Sequence, residues 1–280
     1  MNFNKFNPVT ACEAEMEKWL GSPHVRAVCN GTSAIKAALL AVGVKPGQTV
    51  ITTPYTFVAT GNAIHQIGAK PMFVDTKPDL TIDPERIRGA LAITENVGAI
   101  LPVHIFGRSC DIDALAEIKI DYNIPIVEDA CQAIGALVSP PSYRGKQSKY
   151  LGTFFDAGAM SGYASKNLWA GYEAGWVLTN NPLIADRVEL LRNHGLENGE
   201  MVMMGYNWKF NQLSAFNVWT QLKLHKKGIL AELGKLGPED GYYSKLVFEH
   251  QWYKENPDAW FEMGCPVALA AAKEVREMKK

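Results

Sequence analysis

Lys166 is the first residue of this sequence whose surroundings suggest chemistry. Between Ala157 and Tyr172 the segment AGAMSGYASKNLWAGY carries one charged side chain, that lysine, among small and aromatic neighbours. Most lysines are solvated surface residues, and that reading stands beside a chemical one. Burial among such neighbours disfavours the ammonium form and lowers the pKa, as an amine that captures a carbonyl in a Schiff base requires. A glycosidase or acyl-transfer site offers no comparable role for it. Ser161, five residues earlier, can supply a hydroxyl to a phosphate.

Three further clusters have matching chemistry. Asn30-Gly31-Thr32-Ser33 lies between an apolar strand and an Ala/Leu-rich helix, so backbone N–H groups and a helix N-terminus converge into an anion cradle. A Gly turn capped by Ser or Thr also starts many helices that bind nothing. Neither GxGxxG nor GxxxxGK[ST] occurs, which removes the dinucleotide fingerprint and the Walker loop. Glu128-Asp129 ends the apolar run IPIV, with Gln132 following. Such acids either cap the next helix or leave one carboxylate facing a cationic group of a cofactor, for which a protonated pyridine nitrogen qualifies. In PYTFVAT, Tyr55 and Phe57 follow Pro54. They read as core packing or as a flat surface on which a ring stacks.

The elements that must position these residues follow from the pattern of short apolar runs. From about residue 25 to 180, RAVC, TVITT, PMFVD, GAILPV and IPIVED alternate with helix-like stretches such as SAIKAALLAV, a helix from Thr56, and DIDALAEIKIDY. That alternation predicts a mostly parallel α/β sheet covered on both faces, with polar groups collecting at the strand ends, where ligands bind in open sheets. Helices are expected over about 184–192 and 211–224. Beyond His225 the texture changes to aromatic residues mixed with charges, closing on an amphipathic helix. The division predicted is a large domain over 1–225 and a small or partial C-terminal domain over 226–280.

The chain has 280 residues, 47% of them hydrophobic, enough for a large core. Lys and Arg number 28 against 29 Asp and Glu, a formal charge of −1, so no nucleic acid or anionic membrane partner is called for. The N-terminus lacks a basic segment followed by an apolar one, and no run approaches the roughly 20 apolar residues of a membrane span, so a cytoplasmic protein is expected. Cysteines 12, 29, 110, 131 and 265 are scattered and never form a CxxC pair, which suits reduced thiols and predicts no metal.

The strings NGTSA, TPYTFVATGNAI, PMFVD, PVHIFG, VEDACQAIGA, SGYASKN, LLRNHG and MGYNWKF occur in that order. Together they resemble the DegT/DnrJ/StrS sugar aminotransferases, fold-type I pyridoxal-phosphate enzymes, over about residues 14 to 224. The resemblance implies a homodimer with active sites at the interface, pyridoxal 5′-phosphate (PLP) as cofactor, and transfer of an amino group from glutamate to a nucleotide-linked ketosugar. Position by position, it makes Lys166 the Schiff-base lysine and Ser161 the phosphate-binding serine. Gly31, Thr32 and Ser33 fall in the cradle. Asp129 matches the partner of the pyridine nitrogen, Gln132 the amide near the ring hydroxyl, and Phe57 the aromatic over the ring. Asn207 matches an asparagine reaching the neighbouring subunit's phosphate, and His104 also fits the pattern, as a structural residue with substrate contact as the alternative. Four positions depart from the pattern: Phe155 before Asp156 in place of Gly, Gly162 in place of an aromatic, Ala174 within an EGG motif, and Lys209 in place of Arg. A related dehydratase resembles the same pattern with His in place of the lysine, and a non-catalytic member of the fold is the other alternative.

Overall fold

The computed structural model describes residues 6–143, 147–171 and 173–224. The C-terminal unit expected over 226–280, with its amphipathic helix, lies outside the described residues. Three helices begin with an Asx–Pro pair, in which the side chain caps the first amides and proline fills a position needing no donor. They are α1 (Pro8–Leu20, capped by Asn7), α4 (Pro84–Ile93, capped by Asp83) and α6 (Pro182–Arg192, capped by Asn181). The others are α2 (Gly31–Ala41), α3 (Val58–Gln66), α5 (Ile112–Tyr122) and α7 (Gln212–Leu224).

The central strands are β1 (His24–Val28), β2 (Thr49–Thr52), β3 (Lys70–Phe73), β4 (Val97–Ile100) and β5 (Val127–Asp129). Two short strands, β6 (Leu137–Val138) and β7 (Lys149–Tyr150), pair with each other, and β8 (Ala157–Ser161) and β9 (Gly175–Thr179) return to the centre. The ladders run β1-β9-β8-β5 and β3-β2-β4, and parallel bridges Ile100–Ile126 and Val103–Asp129 join them. Strand β9 is antiparallel to both its neighbours, while β8, β5, β4, β2 and β3 run parallel. The mostly parallel sheet expected from the sequence is therefore present. Pro71 sits in β3, where a missing N–H is tolerated because the strand is an edge.

Alternation along the strands divides the core. Ile51, Ile100, Ile126 and Met160 enter one cluster with residues of α1, α4, α5 and α7. Their strand neighbours Val50, Ala99, Val127 and Ala159 enter the other with residues of α2, α3 and α6. The sheet is thus covered on both faces, as fully apolar strands require. Sequence patterning passed over α1, α4, β8, β9 and a small exposed hairpin, β10 (Leu196–Glu197) with β11 (Glu200–Met201). Strands β8 and β9 are buried at every position, so they carry no polar–apolar alternation to betray them.

Candidate active site

The two acids ending β5 have different tasks, because successive side chains of a strand point to opposite faces. Glu128 is fully buried and accepts the amides of Gly152 at 2.8 Å, Phe154 at 2.8 Å and Phe155 at 3.0 Å, which fixes the loop leading into β8. His104 lies 3.1 Å from it through Nε2. The His104 Nδ1 accepts the Cys110 amide, so the ring proton sits on Nε2, towards Glu128. Both residues are structural. Asp129, 4% exposed, accepts the Cys131 amide on Oδ1 at 3.1 Å and the Thr60 hydroxyl on Oδ2 at 2.7 Å. Between the two acids, it is Asp129 that keeps lone pairs beyond its structural bonds.

Beside it stands the N-terminus of α2. Asn30 caps the helix by accepting the Ser33 amide at 2.8 Å, and the Ser33 hydroxyl lies 3.2 Å from the Cys29 sulfur. Gly31 and Thr32 then carry the first-turn amides that have no intrahelical acceptor. A Cβ on Gly31 would lie 2.8 Å from the Ser161 Cβ, 3.1 Å from its Oγ and 3.2 Å from the Cys131 sulfur. The absence of a side chain at residue 31 is what lets the helix end meet Ser161 at the end of β8. Burial pushes the Cys131 thiol well above its ordinary pKa, and the Asp129 charge adds to that while the Lys166 charge opposes it. Cys131 is thus within electrostatic reach of both charged residues.

Lys166 lies in the turn after β8, its amide bonded to the Tyr163 carbonyl, with the side chain partly buried. Gln132 is buried, and its Oε1 accepts the amide of Phe106, a residue in the left-handed region at φ 53°. The Gln132 amide group is left to donate elsewhere. Phe57 is 46% exposed at the start of α3, so it is not a core residue. Tyr55 packs edge-on against Phe106 at 6.2 Å. Asn207 is exposed, on a segment pinned by the Trp208 amide to Arg192 and by the Trp208 carbonyl to the Cys29 amide. Around it the rings of Tyr206 and Trp208 stack at 3.9 Å, and Lys36 lies 4.8 Å from the Trp208 ring centroid, its pKa lowered by burial.

A profile of the DegT/DnrJ/EryC1/StrS aminotransferase family matches residues 2–229. The chain belongs to this family. A pleiotropic regulatory protein of Geobacillus stearothermophilus is 38% identical over 74% of the chain and 54% of its own length. The GDP-perosamine synthase of Caulobacter vibrioides is 33% identical over 72% and 53%. The crystal structure of S. venezuelae DesV, in complex with a ketimine intermediate, superposes with a TM-score of 0.71 at 33% identity, covering 79% of this chain and 57% of that one. The chain spans about half the length of the curated relatives it matches.

The cofactor of the DegT/DnrJ/EryC1/StrS family is PLP, and the residues present fit it. A helix-end cradle that a Cβ would close, a buried carboxylate with spare lone pairs, and a partly buried lysine in the turn after β8 suit its phosphate, its ring nitrogen and its aldehyde. The departures from the family pattern are accommodated locally. A Cβ on Gly162 would lie 2.5 Å from the ring of Trp176, which is fully buried, so the packing of β9 leaves no room for a larger residue at 162. Phe155 is buried in the core, and Asp156 bonds Lys119 and the Ile126 amide. Ala174 is buried, whereas Lys209 is exposed on the bridge to Val28.

Sequence reasoning missed Thr60, Cys131 and Phe106. The helix expected from Thr56 starts at Val58, so Thr56 lies ahead of it and no helical spacing marks the Thr56–Thr60 pair in the sequence. Among the described residues no helix is long and apolar enough to cross a membrane, and no cluster of three His, Cys, Asp or Glu could hold a metal ion.

Proposed function

We propose that this protein is a PLP-dependent aminotransferase that moves an amino group from glutamate to a keto group of a nucleotide-linked deoxysugar. The observation that carries the reading is the meeting of the Gly31–Ser161 cradle with Cys131, whose amide bonds Asp129, at the ends of β5 and β8, with Lys166 in the turn that follows β8. The names of its relatives support the substrate class: GDP-perosamine synthase and a UDP-2-acetamido-2-deoxy-3-oxo-D-glucuronate aminotransferase of Pseudomonas aeruginosa, the latter 33% identical.

When bound, PLP supplies an aldehyde carbon and a ring that accepts an electron pair from the reacting bond. The chain's residues do the rest. Gly31 and Thr32 donate amides to the phosphate, and the Ser161 hydroxyl adds a donor. Lys166 would hold the cofactor through its amine. Its amine, when free, would be the base that moves the proton from the amino donor's α-carbon. Asp129 would accept the hydrogen bond of the ring nitrogen. Gln132 donates to the ring oxygen, and Phe57 covers one ring face. Amination of the keto sugar uses the same groups in reverse.

Asn207 contacts the phosphate of the partner subunit in this reading, which makes the protein a homodimer. In support, Met201, Val202 and Met204, just before Asn207, are 73%, 52% and 82% exposed, an apolar row suited to a second copy. A cytoplasmic location accords with substrates made inside the cell.

The non-catalytic reading keeps one specific observation, the regulatory name of the Geobacillus relative. Lys166 itself opposes the dehydratase reading. Incubating the protein with PLP, glutamate and a panel of nucleotide-linked ketosugars, with mass spectrometry of the products, tests the proposal. An amino sugar together with 2-oxoglutarate is expected. A covalently loaded protein that transfers nothing to any acceptor overturns the substrate class, and one that never loads the cofactor overturns the activity.

A further inference from the structure

The Asp129 carboxylate is anchored from another element, at a position that the sequence pattern did not single out. Thr60 is 1% exposed, and its hydroxyl lies 2.7 Å from Asp129 Oδ2 and 2.7 Å from the Thr56 hydroxyl. A threonine hydroxyl has one hydrogen to give. An ionised carboxylate can only accept, so the Thr60 hydrogen goes to Asp129 and Thr56 must donate to Thr60. The chain of donation therefore runs one way, Thr56 to Thr60 to Asp129. The Cys131 amide holds the other carboxylate oxygen, so both oxygens are fixed in place.

The same residue touches the opposite wall. The Thr60 amide bonds the carbonyl of Phe57 at 3.1 Å, closing the turn on which the exposed Phe57 ring stands. Thr60 thus ties the aromatic and the carboxylate to one another, the two groups that face the cofactor ring from different elements in the proposed function.

We propose that Thr60 is a positioning residue of this site: its hydroxyl, oriented by Thr56, holds the Asp129 carboxylate in place and aimed at the pyridine nitrogen. This rests on the PLP reading of the same site. A neutral donor to a buried carboxylate sets how firmly that carboxylate holds the ring proton, and that proton governs the electron-withdrawing power of the ring. Thr60 therefore acts on the chemical step more than on recognition of the amino donor.

The test compares the full-length wild type with Thr60→Val, which keeps the shape and removes the hydroxyl, and Thr60→Ser, which restores it. Three quantities are measured: the dissociation constant for PLP by absorbance titration, the visible spectrum of the loaded protein, and kcat and KM for glutamate in the half-reaction. Thr60→Val is expected to weaken PLP binding about 10- to 100-fold, the range of a hydrogen bond to a charged group. It should also alter the visible band and lower kcat with KM for glutamate nearly unchanged. Thr60→Ser should recover most of each. Wild-type values in Thr60→Val, or a loss that Thr60→Ser does not restore, would overturn the proposal. If Thr60→Val does not fold, Thr56→Val reads the same relay one bond further out, with a smaller shift in the same direction expected and none overturning it. Failure of the wild type itself to bind PLP through Lys166 would strike instead at the function on which this rests.

Discussion

Gly31 and Ser161 meet so closely that a single added carbon would collide: a Cβ on Gly31 would fall 2.8 Å from the Cβ of Ser161. The backbone at residue 31 has no positive φ, so glycine is required there by approach and not by backbone conformation.

Gly31→Ala is therefore expected to push α2 away from β8 and to lower stability by about 1–3 kcal/mol, as an overpacked contact does. The first-turn amides move with the helix. Affinity for PLP should fall more than tenfold, a loss that absorbance titration reads separately from the melting temperature. An alanine variant that binds PLP normally would show that the cradle lies elsewhere.

Lys166→Ala should remove the covalent link to PLP and abolish transamination, because the stretch from Ala157 to Tyr172 holds no second lysine. Borohydride reduction of the loaded wild type followed by peptide mass spectrometry should find the pyridoxyl adduct on Lys166. An adduct on Lys36, the partly buried lysine over Trp208, would relocate the site.

Asn207 tests assembly. If it serves the partner's site, a heterodimer of Lys166→Ala and Asn207→Ala chains has one site with both defects and one with neither. Mixing the two inactive or impaired variants after dissociation should recover activity above the mean of the parents. The Asn207→Ala parent should itself be impaired by the equivalent of about 1.5–3 kcal/mol, since it loses a hydrogen bond to a charged phosphate. Verified subunit exchange without recovery would place both residues in one site of one chain.

Cys12 links stability to alkaline pH. Burial, with a smaller push from the Glu13 charge and against a contact to Trp176, raises its thiol from 9.0 to about 12. Below pH 9 folded and unfolded chains both keep the proton and its contribution is full. As pH rises from 9 towards 12 the unfolded chain releases the proton while the folded one holds it, so stability is lost. Cys12→Ala should melt lower at neutral pH because of the cavity, yet decline less steeply than the wild type above pH 9. Parallel slopes in thermal melts would count against the buried thiol.

The order of short apolar runs and helix-like stretches, the single lysine in an uncharged segment and the Gly turn before α2 are local patterns. They sufficed for a two-faced, mostly parallel sheet, for the candidate residues Lys166, Ser161 and Gly31, and for the pair Glu128–Asp129 without a choice between them. The antiparallel course of β9 left no local mark, since a strand buried on both faces reads the same in either direction. Adjacent acids Glu128 and Asp129 are alike in sequence, and only the pleat and its neighbours assign one to the loop over β8 and the other to the site. Phe57 read equally as core or cover until its exposure was visible. The close approach of Gly162 to Trp176, and the bond from Thr60 to Asp129 across 69 residues of chain, exist because the sheet brings distant segments within contact range. Residue type and spacing along the chain set what chemistry was available, and packing alone decided which groups were left facing one another to perform it.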